Sequence, residues 1–320
     1  MKRLLQFVSM LACSGVLLAM AQPAVAAGDK AILITGASTG IGRHLAESLA
    51  GKGYHVYAGA RKDEDLAELD AIDNITAVRL DVTKQDQIDA AVGLVKKSGT
   101  GLYALVNNAG VGGGGPVLET PVEEQNFVYS VNVEGVYRTT QAFAPLVVES
   151  KGRIVTTGSV AGTKSWPGCS AYCGSKHWIE AFTDSLAAEM EPLGVHVSVV
   201  EPGNYKSSIR RTSAKRRMER QLAADGTMSS EAKEAVASAT ERELSLKEPA
   251  DVTAAFEHAL FAEAPLLRYV VVPNADEHNW AIHTALDELI QLNQWGPYTY
   301  SREELIALLE ERMAEGAADD

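Results

Sequence analysis

Cysteine is scarce here: Cys13, Cys169 and Cys173 are the whole supply in 320 residues. They say nothing about redox compartment. Cys13 lies in an N-terminal leader, and Cys169 and Cys173 stand four apart around the start of an expected helix, an awkward spacing for the demanding geometry of a disulfide. The pair reads as small packing residues, with a C-x-x-x-C redox switch as the sharper alternative. Positive charge is also short. Lys and Arg number 29 against 42 Asp and Glu, and the formal net charge of −13 argues against a general nucleic-acid or anionic-membrane surface. Internal repeats and long low-complexity runs are missing, and no linker interrupts the chain. One large core is therefore expected. No metal site is expected.

Against that background the glycines are informative by position. Ala31 to Ile34 is a short apolar run of the kind that forms a buried parallel strand, and Ile41 to Ala50 repeats apolar residues at helical spacing. Between them lies Thr35-Gly36-Ala37-Ser38-Thr39-Gly40-Ile41-Gly42. A helix N-terminus there offers unpaired N–H groups and the positive end of its dipole to a pyrophosphate, and Gly36, Gly40 and Gly42 keep the approach open. A ligand-free strand-to-helix turn is the plain alternative.

Two polar clusters fall at the C-terminal ends of further predicted strands, where open α/β sheets place their ligands. Asp81-Val82 follows Ile75 to Leu80. Asp81 suits an adenine amine as acceptor, or the N-cap of a helix from Gln85 to Val95. Asn107-Asn108-Ala109-Gly110 follows Leu102 to Val106 and reads equally as a pair of turn residues. A third strand, Arg153 to Thr157, is followed by Ser159, and a helix from Ala171 to Met190 carries Tyr172 and Lys176 on one face. Free tyrosine has a pKa near ~10; a neighbouring ammonium lowers it by roughly 1–3 units, which makes Tyr172 a usable acid/base for the proton that accompanies hydride movement at an alcohol carbon. Alone, such a pair is an ordinary solvated helix face.

Taken together, Thr35-Gly36-x-x-x-Gly40-Ile41-Gly42, Asp81-Val82, Asn107-Asn108-Ala109-Gly110, Asn132, Ser159, Tyr172-x-x-x-Lys176 and Pro202-Gly203 resemble the short-chain dehydrogenase/reductase family, over about Lys30 to Val272. The resemblance implies a Rossmann-type doubly wound parallel α/β sheet with helices on both faces, and NAD or NADP as cofactor. It implies a tetrad in which Asn132 holds a proton-relay water, Ser159 hydrogen-bonds the substrate oxygen, Tyr172 is the acid/base, and Lys176 orients ribose and lowers the Tyr172 pKa. Cofactor contacts implied are Gly36, Ser38, Thr39, Gly40, Ile41, Gly42, Arg61, Asp81, Val82, Asn108, Ala109, Gly110, Tyr172, Lys176, Pro202 and Gly203. The family's Thr after Pro-Gly is absent, and Ser207 is its nearest substitute. Ala171 to Lys176, Ile179 to Leu186 and Val199 to Tyr205 look like the branch holding retinol, 17β-hydroxysteroid and 3-hydroxybutyrate dehydrogenases, which implies a lipophilic alcohol or carbonyl substrate. The family also implies a homodimer or homotetramer.

Cofactor choice rests on the end of the second strand, Val56 to Lys62. Ala60 occupies the place where NAD enzymes carry an acid for the ribose 2′-OH, and Arg61 follows it, which favours NADP. Thr39, where a second cation is common, speaks against it; Arg61 as a solvated loop charge is the alternative.

Three segments frame the core. Lys2-Arg3, the uncharged run Leu4 to Ala27 and Ala24-Val25-Ala26 read as a signal peptide over residues 1–26, cleaved after Ala26, which implies export to the periplasm or envelope. Left uncleaved, the run is long enough for an anchor; a start at Met20 implies the cytoplasm. The main domain spans 27–275, with a helical substrate lid near 205–245 that holds the basic stretch Lys206 to Arg220. That stretch suits a substrate carboxylate or phosphate, or an exposed lid face. Residues 276–320 form an acidic helical extension, with Ser301 and Glu304 as a capping box, an apolar stripe of Leu305, Leu308 and Leu309 expected to pack on its own domain, and Trp280 and Trp295 expected over the cleft or an oligomer seam. Other function classes are a cofactor-sensing scaffold, which would normally lose Ser, Tyr or Lys, and an epimerase or dehydratase, whose glycine spacing generally differs.

Overall fold

The short apolar runs become strands of one sheet. The computed structural model describes residues 30–316. It contains β1 (Ala31–Ile34), β2 (His55–Ala60), β3 (Ile75–Arg79), β4 (Ala104–Asn107), β5 (Arg153–Thr157), β6 (His196–Pro202) and β7 (Arg268–Val271), in the order β3-β2-β1-β4-β5-β6-β7. Every neighbouring pair is parallel. The helices are α1 (Gly40–Gly51), α2 (Asp63–Asp70), α3 (Gln85–Ser98), α4 (Val122–Asn132), α5 (Glu134–Ser150), α6 (Ser170–Met190), α7 (Ile209–Asp225), α8 (Ser230–Ser245), α9 (Ala250–Phe261), α10 (Ala275–Leu292) and α11 (Arg302–Gly316). The fold is the expected Rossmann-type doubly wound sheet. The leader, with its cleavage site after Ala26 and the alternative start at Met20, lies outside the described residues.

Alternation along β1 shows why the sheet is covered on both faces. Ile32 and Ile34 join a core with Leu45, Leu49 and Phe256, from α1 and α9. Ala31 and Leu33 join a second core with Ile88, Phe143 and Val147, from α3 and α5. Side chains two apart share a face, so a strand apolar at every position needs a helical layer on each side. The strand order reverses at β1, whose neighbours are β2 and β4. The crevice beyond the carboxyl ends of β1 and β4 is where such sheets place ligands.

Local chemistry sets the helix ends. At α3, Lys96 and Lys97 lie in the last turn and Gly99 takes a φ of +74°, so cations meet the negative dipole end and a glycine supplies the left-handed cap. At α11, Glu304 N donates to Ser301 Oγ at 3.3 Å and Ser301 N donates to Glu304 Oε2 at 2.7 Å, the expected capping box.

The stripe on α11 departs from expectation. Leu309 is 51% exposed, and Leu305 and Leu308 are only half covered. A capping box stabilises a helix locally whether or not its apolar face finds a surface, so spacing alone could not place it. The two tryptophans separate as well: Trp280 lines the cleft, whereas Trp295 is 93% exposed.

Candidate active site

The turn after β1 is shaped by what its glycines leave out. Gly36 has a φ of +65° and Gly40 one of +58°, conformations that a side chain strains. A Cβ on Gly36 would lie 2.8 Å from Ala109 Cα, and one on Gly42 would lie 2.3 Å from Asn108 Nδ2. A Cβ on Gly40 would approach that of Ser207 to 3.1 Å, so Ser207 stands at the cradle. Thr39, the N-cap of α1, makes no side-chain capping bond, and the first turn holds no acid. Its hydroxyl pairs with Ser208 Oγ at 3.1 Å instead. The amino end of α1 thus keeps its orphan N–H groups and its positive dipole free of an internal anion, as a phosphate group requires. Ser38 is half-buried in the same turn, and Ile41 points inward onto the core.

Asn108 is engaged differently from the expectation of a cofactor contact. Its Nδ2 donates to Thr35 O at 3.0 Å and to Gly36 O at 3.1 Å, and its Oδ1 accepts from Thr157 Oγ1 at 3.2 Å. The side chain joins β4 to the glycine turn and to β5. Thr35 Oγ1 completes the join, accepting from Asn108 N at 3.0 Å and Ala109 N at 2.9 Å. Thr35 had no assigned role, although its place at the head of the glycine motif is a signal. Asn107 is 2% exposed and bonds Thr139 and Thr140 of α5.

The tetrad residues come together around α6. Ser159 opens a single 3-10 turn, Val160–Gly162, and its Oγ accepts from Ala161 N at 3.1 Å. Tyr172 stands beside Ser159 on the wall of the cleft and is half-buried there. Lys176 is 5% exposed, and its ammonium donates to Thr157 O at 2.7 Å while lying 5.9 Å from the Tyr172 ring centre. Asn132 is 1% exposed; it exchanges 2.9 Å bonds with both the N–H and the carbonyl of Val111, and donates to Ser175 Oγ at 3.0 Å. Its amide thus clasps the loop after Gly110 like a piece of backbone and ties it to α6. Ser175 is a positioning residue that sequence reading did not single out.

Burial overturns the expected direction of the tyrosine shift. Desolvation pushes Tyr172 up to about 12, opposed by the neighbouring Ser159 hydroxyl and, more weakly, by the Arg210 guanidinium. Desolvation pushes Lys176 down to about 8, opposed by Glu180. The ammonium is turned to Thr157 rather than to the phenol oxygen. A spacing of four on a helix fixes which face the two residues share, not where the lysine tip points.

Behind Lys176 lies a pair of carboxyls with no assigned role. Glu201, on β6, is 1% exposed, and neither of its oxygens has a donor; Glu180 Oε1 also lacks one. Burial, then the neighbouring Glu180, pushes Glu201 up to about 8. A proton held by Glu201 gives Glu180 its missing donor. Arg268 faces both, 3.2 Å from Glu180 and 4.0 Å from Glu201, and pairs with Asp184 at 2.6 Å.

Other expected contacts are distributed along the strand ends. Asp81 Oδ1 accepts from Thr83 N at 3.0 Å and Thr83 Oγ1 at 2.7 Å, a turn role that leaves the second oxygen without an internal donor. Val82 packs against Gly135, where an added Cβ would lie 2.5 Å from it. Arg61 is exposed at the end of β2, and its carbonyl accepts from Arg79 at 2.8 Å. Pro202 and Gly203 line the cleft with Ser159 and Tyr172. Cys169 and Cys173 are unbridged, and Cys173 is wholly buried.

The cleft has a volume of about 1310 Å³, above the ~300–1,000 Å³ of most small-molecule sites. Trp166 and Trp280, with ring centres 6.1 Å apart, form part of its wall. α7 and α8 supply another part.

Comparison with known proteins agrees with this geometry. Residues 30–218 match the model of the short chain dehydrogenase family. The chain is 43% identical over 195 residues to mitochondrial D-beta-hydroxybutyrate dehydrogenase of Mus musculus, a match covering 58% of this chain and 57% of that protein, so it spans little more than half of that relative's length. It is 36% identical over 261 residues to retinol dehydrogenase 16 of Homo sapiens, covering 75% of this chain and 80% of that one. Among solved structures, a short chain dehydrogenase/reductase from Burkholderia phymatum in complex with NAD superposes with a TM-score of 0.70 at 27% identity, covering 85% of this chain and 98% of that one.

Proposed function

The chain belongs to the short-chain dehydrogenase/reductase family, and from that premise we propose that it is an oxidoreductase moving a hydride between a nicotinamide cofactor and the carbon of an alcohol or carbonyl substrate. The observation that carries the reading is the meeting of Ser159 and Tyr172 in one large cleft, with Lys176 one turn along the same helix and the bare amino end of α1 beyond β1. The cofactor, when bound, supplies the hydride donor or acceptor. The α1 amino end with Gly36, Gly40 and Gly42 would hold its phosphates, and Lys176 would bind its ribose.

In this reading Tyr172 carries the proton. During reduction its phenol O–H donates to the oxygen that gains charge, and during oxidation the phenolate takes the alcohol proton. Ser159 donates to the same substrate oxygen and fixes it beside Tyr172. Lys176 keeps a positive charge near the phenol, and the nearby Arg210 charge favours the phenolate as well. Asn132 holds the loop at Val111 against α6. The cleft walls of Trp166, Trp280, Ile209 and Met218 suit a lipophilic carbon skeleton, in keeping with the relative that acts on retinol.

NADP is the preferred form in this reading. Ala60 provides no carboxylate for a ribose 2′-OH, and Arg61 has no carboxylate partner among the described residues, so its guanidinium is free for a 2′-phosphate.

A panel of aliphatic and alicyclic alcohols and ketones, followed by absorbance of the reduced cofactor, tests the proposal. Turnover is expected only with the cofactor present. Tyr172→Phe should abolish turnover while leaving cofactor binding nearly intact; full activity in that variant overturns the assignment.

A further inference from the structure

The basic lid helix divides its cations into two sets. On α7, Arg216 and Arg220 both close on Glu124 of α4, a carboxylate only 3% exposed, and Arg216 also donates to Gly112 O. Arg211 pairs with Glu243 of α8 at 2.9 Å, and Lys215 with Glu219 at 3.9 Å. The contacts to Glu124, Gly112 and Glu243 fasten the lid to α4, to the loop after β4 and to α8, whereas the Lys215 pair lies within α7 itself. A second set turns the other way. Arg210, Ser213, Ala214, Arg217, Met218 and Gln221 follow the spacing of one helical face, and all of them line the cleft.

Arg210 and Arg217 on that face have no carboxylate within ion-pair distance among the described residues, nor has Arg242, which reaches the cleft from α8. Arg210 bonds only the neutral Asn204 side-chain oxygen. Of the cleft acids, Glu124 is held by its two arginines, whereas Glu277, which accepts from the neutral Asn204 N at 2.9 Å, and Glu231, exposed in the first turn of α8, have no ion-pair partner among the described residues. In a chain of net charge −13, three unpaired guanidiniums outnumber the two unpaired carboxylates around this cavity and leave it locally positive. Arg210 is near enough to Tyr172 for its charge to act on the phenol, and Arg217, two turns along, lies roughly 10 Å farther down the helix.

We propose that the cleft selects lipophilic alcohols and carbonyls that carry an oxyanion group, held by Arg210 and Arg217 of α7 and Arg242 of α8. The inference rests on the hydride-transfer reading and adds to it the class of substrate. A guanidinium grips a carboxylate or phosphate through paired N–H donors. The apolar wall takes the carbon chain, and the lid arginines take the head group.

Reduction of 4-oxodecanoate and 9-oxodecanoate, each beside its methyl ester, tests this, because acid and ester differ by one charge on the same skeleton. At least one acid should show a kcat/KM tenfold or more above its ester. That ratio should fall at least tenfold in the Arg210→Gln, Arg217→Gln, Arg242→Gln triple variant and stay unchanged in Lys215→Gln, whose lysine faces away from the cleft. Loss confined to Arg210→Gln places the head group near the reacting carbon; loss confined to Arg217→Gln or Arg242→Gln places it at the outer rim. Turnover of acids and esters at equal efficiency, with equal losses in the triple variant, overturns the anion site and leaves hydride transfer standing. If neither these oxo compounds nor the alcohol and ketone panel turns over, hydride transfer fails instead, and calorimetry with decanoate against decan-1-ol decides the anion site. Tighter decanoate binding that vanishes in the triple variant supports it, and equal binding overturns it.

Discussion

Lys176 donates to the carbonyl of Thr157 at 2.7 Å, and the hydroxyl of that same threonine donates to Asn108 at 3.2 Å. One residue at the end of β5 therefore couples the lysine of the proposed chemistry to the side chain that holds the glycine turn. The cradle and the proton-handling residues are parts of one hydrogen-bonded unit. Disturbing either end should be felt at the other.

Asn108→Ala removes two donors to carbonyls and one acceptor at once, so it should destabilise the fold by about 2–4 kcal/mol. Asn108→Asp should be worse, because a carboxylate would face Thr35 O and Gly36 O, which can only accept. Gly42→Ala pushes a methyl group into the space of Asn108 Nδ2. The Gly42→Ala, Asn108→Ala double variant should therefore lose less than the sum of the singles. Chemical denaturation of the four proteins checks this; additive losses, or an Asp variant as stable as the Ala variant, refute the coupling.

The pH profile of kcat/KM, which reports the free enzyme, should rise with alkalinity in the oxidation direction. Oxidation needs Tyr172 without its proton, and burial holds that proton up to about 12, so the rate should climb roughly tenfold per pH unit at first. Lys176, pushed down to about 8 by burial, then loses its charge, and the climb should bend near there. Lys176→Arg cannot lose its charge in this range. Its activity should be lower but its profile free of that bend, and a bend that persists in the arginine variant would assign it to another group.

Arg61→Ala addresses cofactor choice. An exposed guanidinium with a free fork gives a charge-assisted contact to a 2′-phosphate and little to a 2′-hydroxyl. NADP affinity should fall by roughly 10- to 150-fold, in line with ~1.5–3 kcal/mol for a charged hydrogen bond, and NAD affinity by much less. Titration calorimetry showing equal losses for both would remove the argument.

The strands, the glycine turn and the catalytic helix were legible because each rests on local pattern: β1 and β5 match the apolar runs residue for residue, and α6 starts one residue ahead of its periodic stretch. Long-range side-chain partners were not legible. Asn108 looked like a ligand contact because a polar residue at a strand end looks the same whether it faces a cofactor or a backbone carbonyl across the crevice. Glu201 sat inside an apolar strand run with no hint that Glu180, from another element, would stand against it. The two roles of the lid arginines depend on Glu124, distant in sequence, and on the helix rotation that its ion pairs impose. Leu309 carried a regular stripe whose covering surface no spacing could name.

Glu201→Gln isolates the buried carboxyl pair. In the folded chain burial pushes the Glu201 carboxyl from the ordinary carboxylate range up to about 8, so the folded state keeps a proton that the unfolded state gives up. Stability from this group is complete below the ordinary carboxylate range and is lost as pH rises through about 8. Glutamine does not titrate, and its amide can donate to Glu180 as the protonated acid does. The wild-type unfolding free energy should therefore fall across that window more steeply than the variant's, leaving Glu201→Gln the more stable by about 1–3 kcal/mol at pH 8. Glu180 stands against Glu201 and titrates with it, so the difference between the two proteins reports the carboxyl pair rather than Glu201 alone. Urea denaturation at intervals from pH 5 upward measures it; parallel curves for the two proteins would mean that Glu201 is already ionised in the native state and that Arg268 carries its charge.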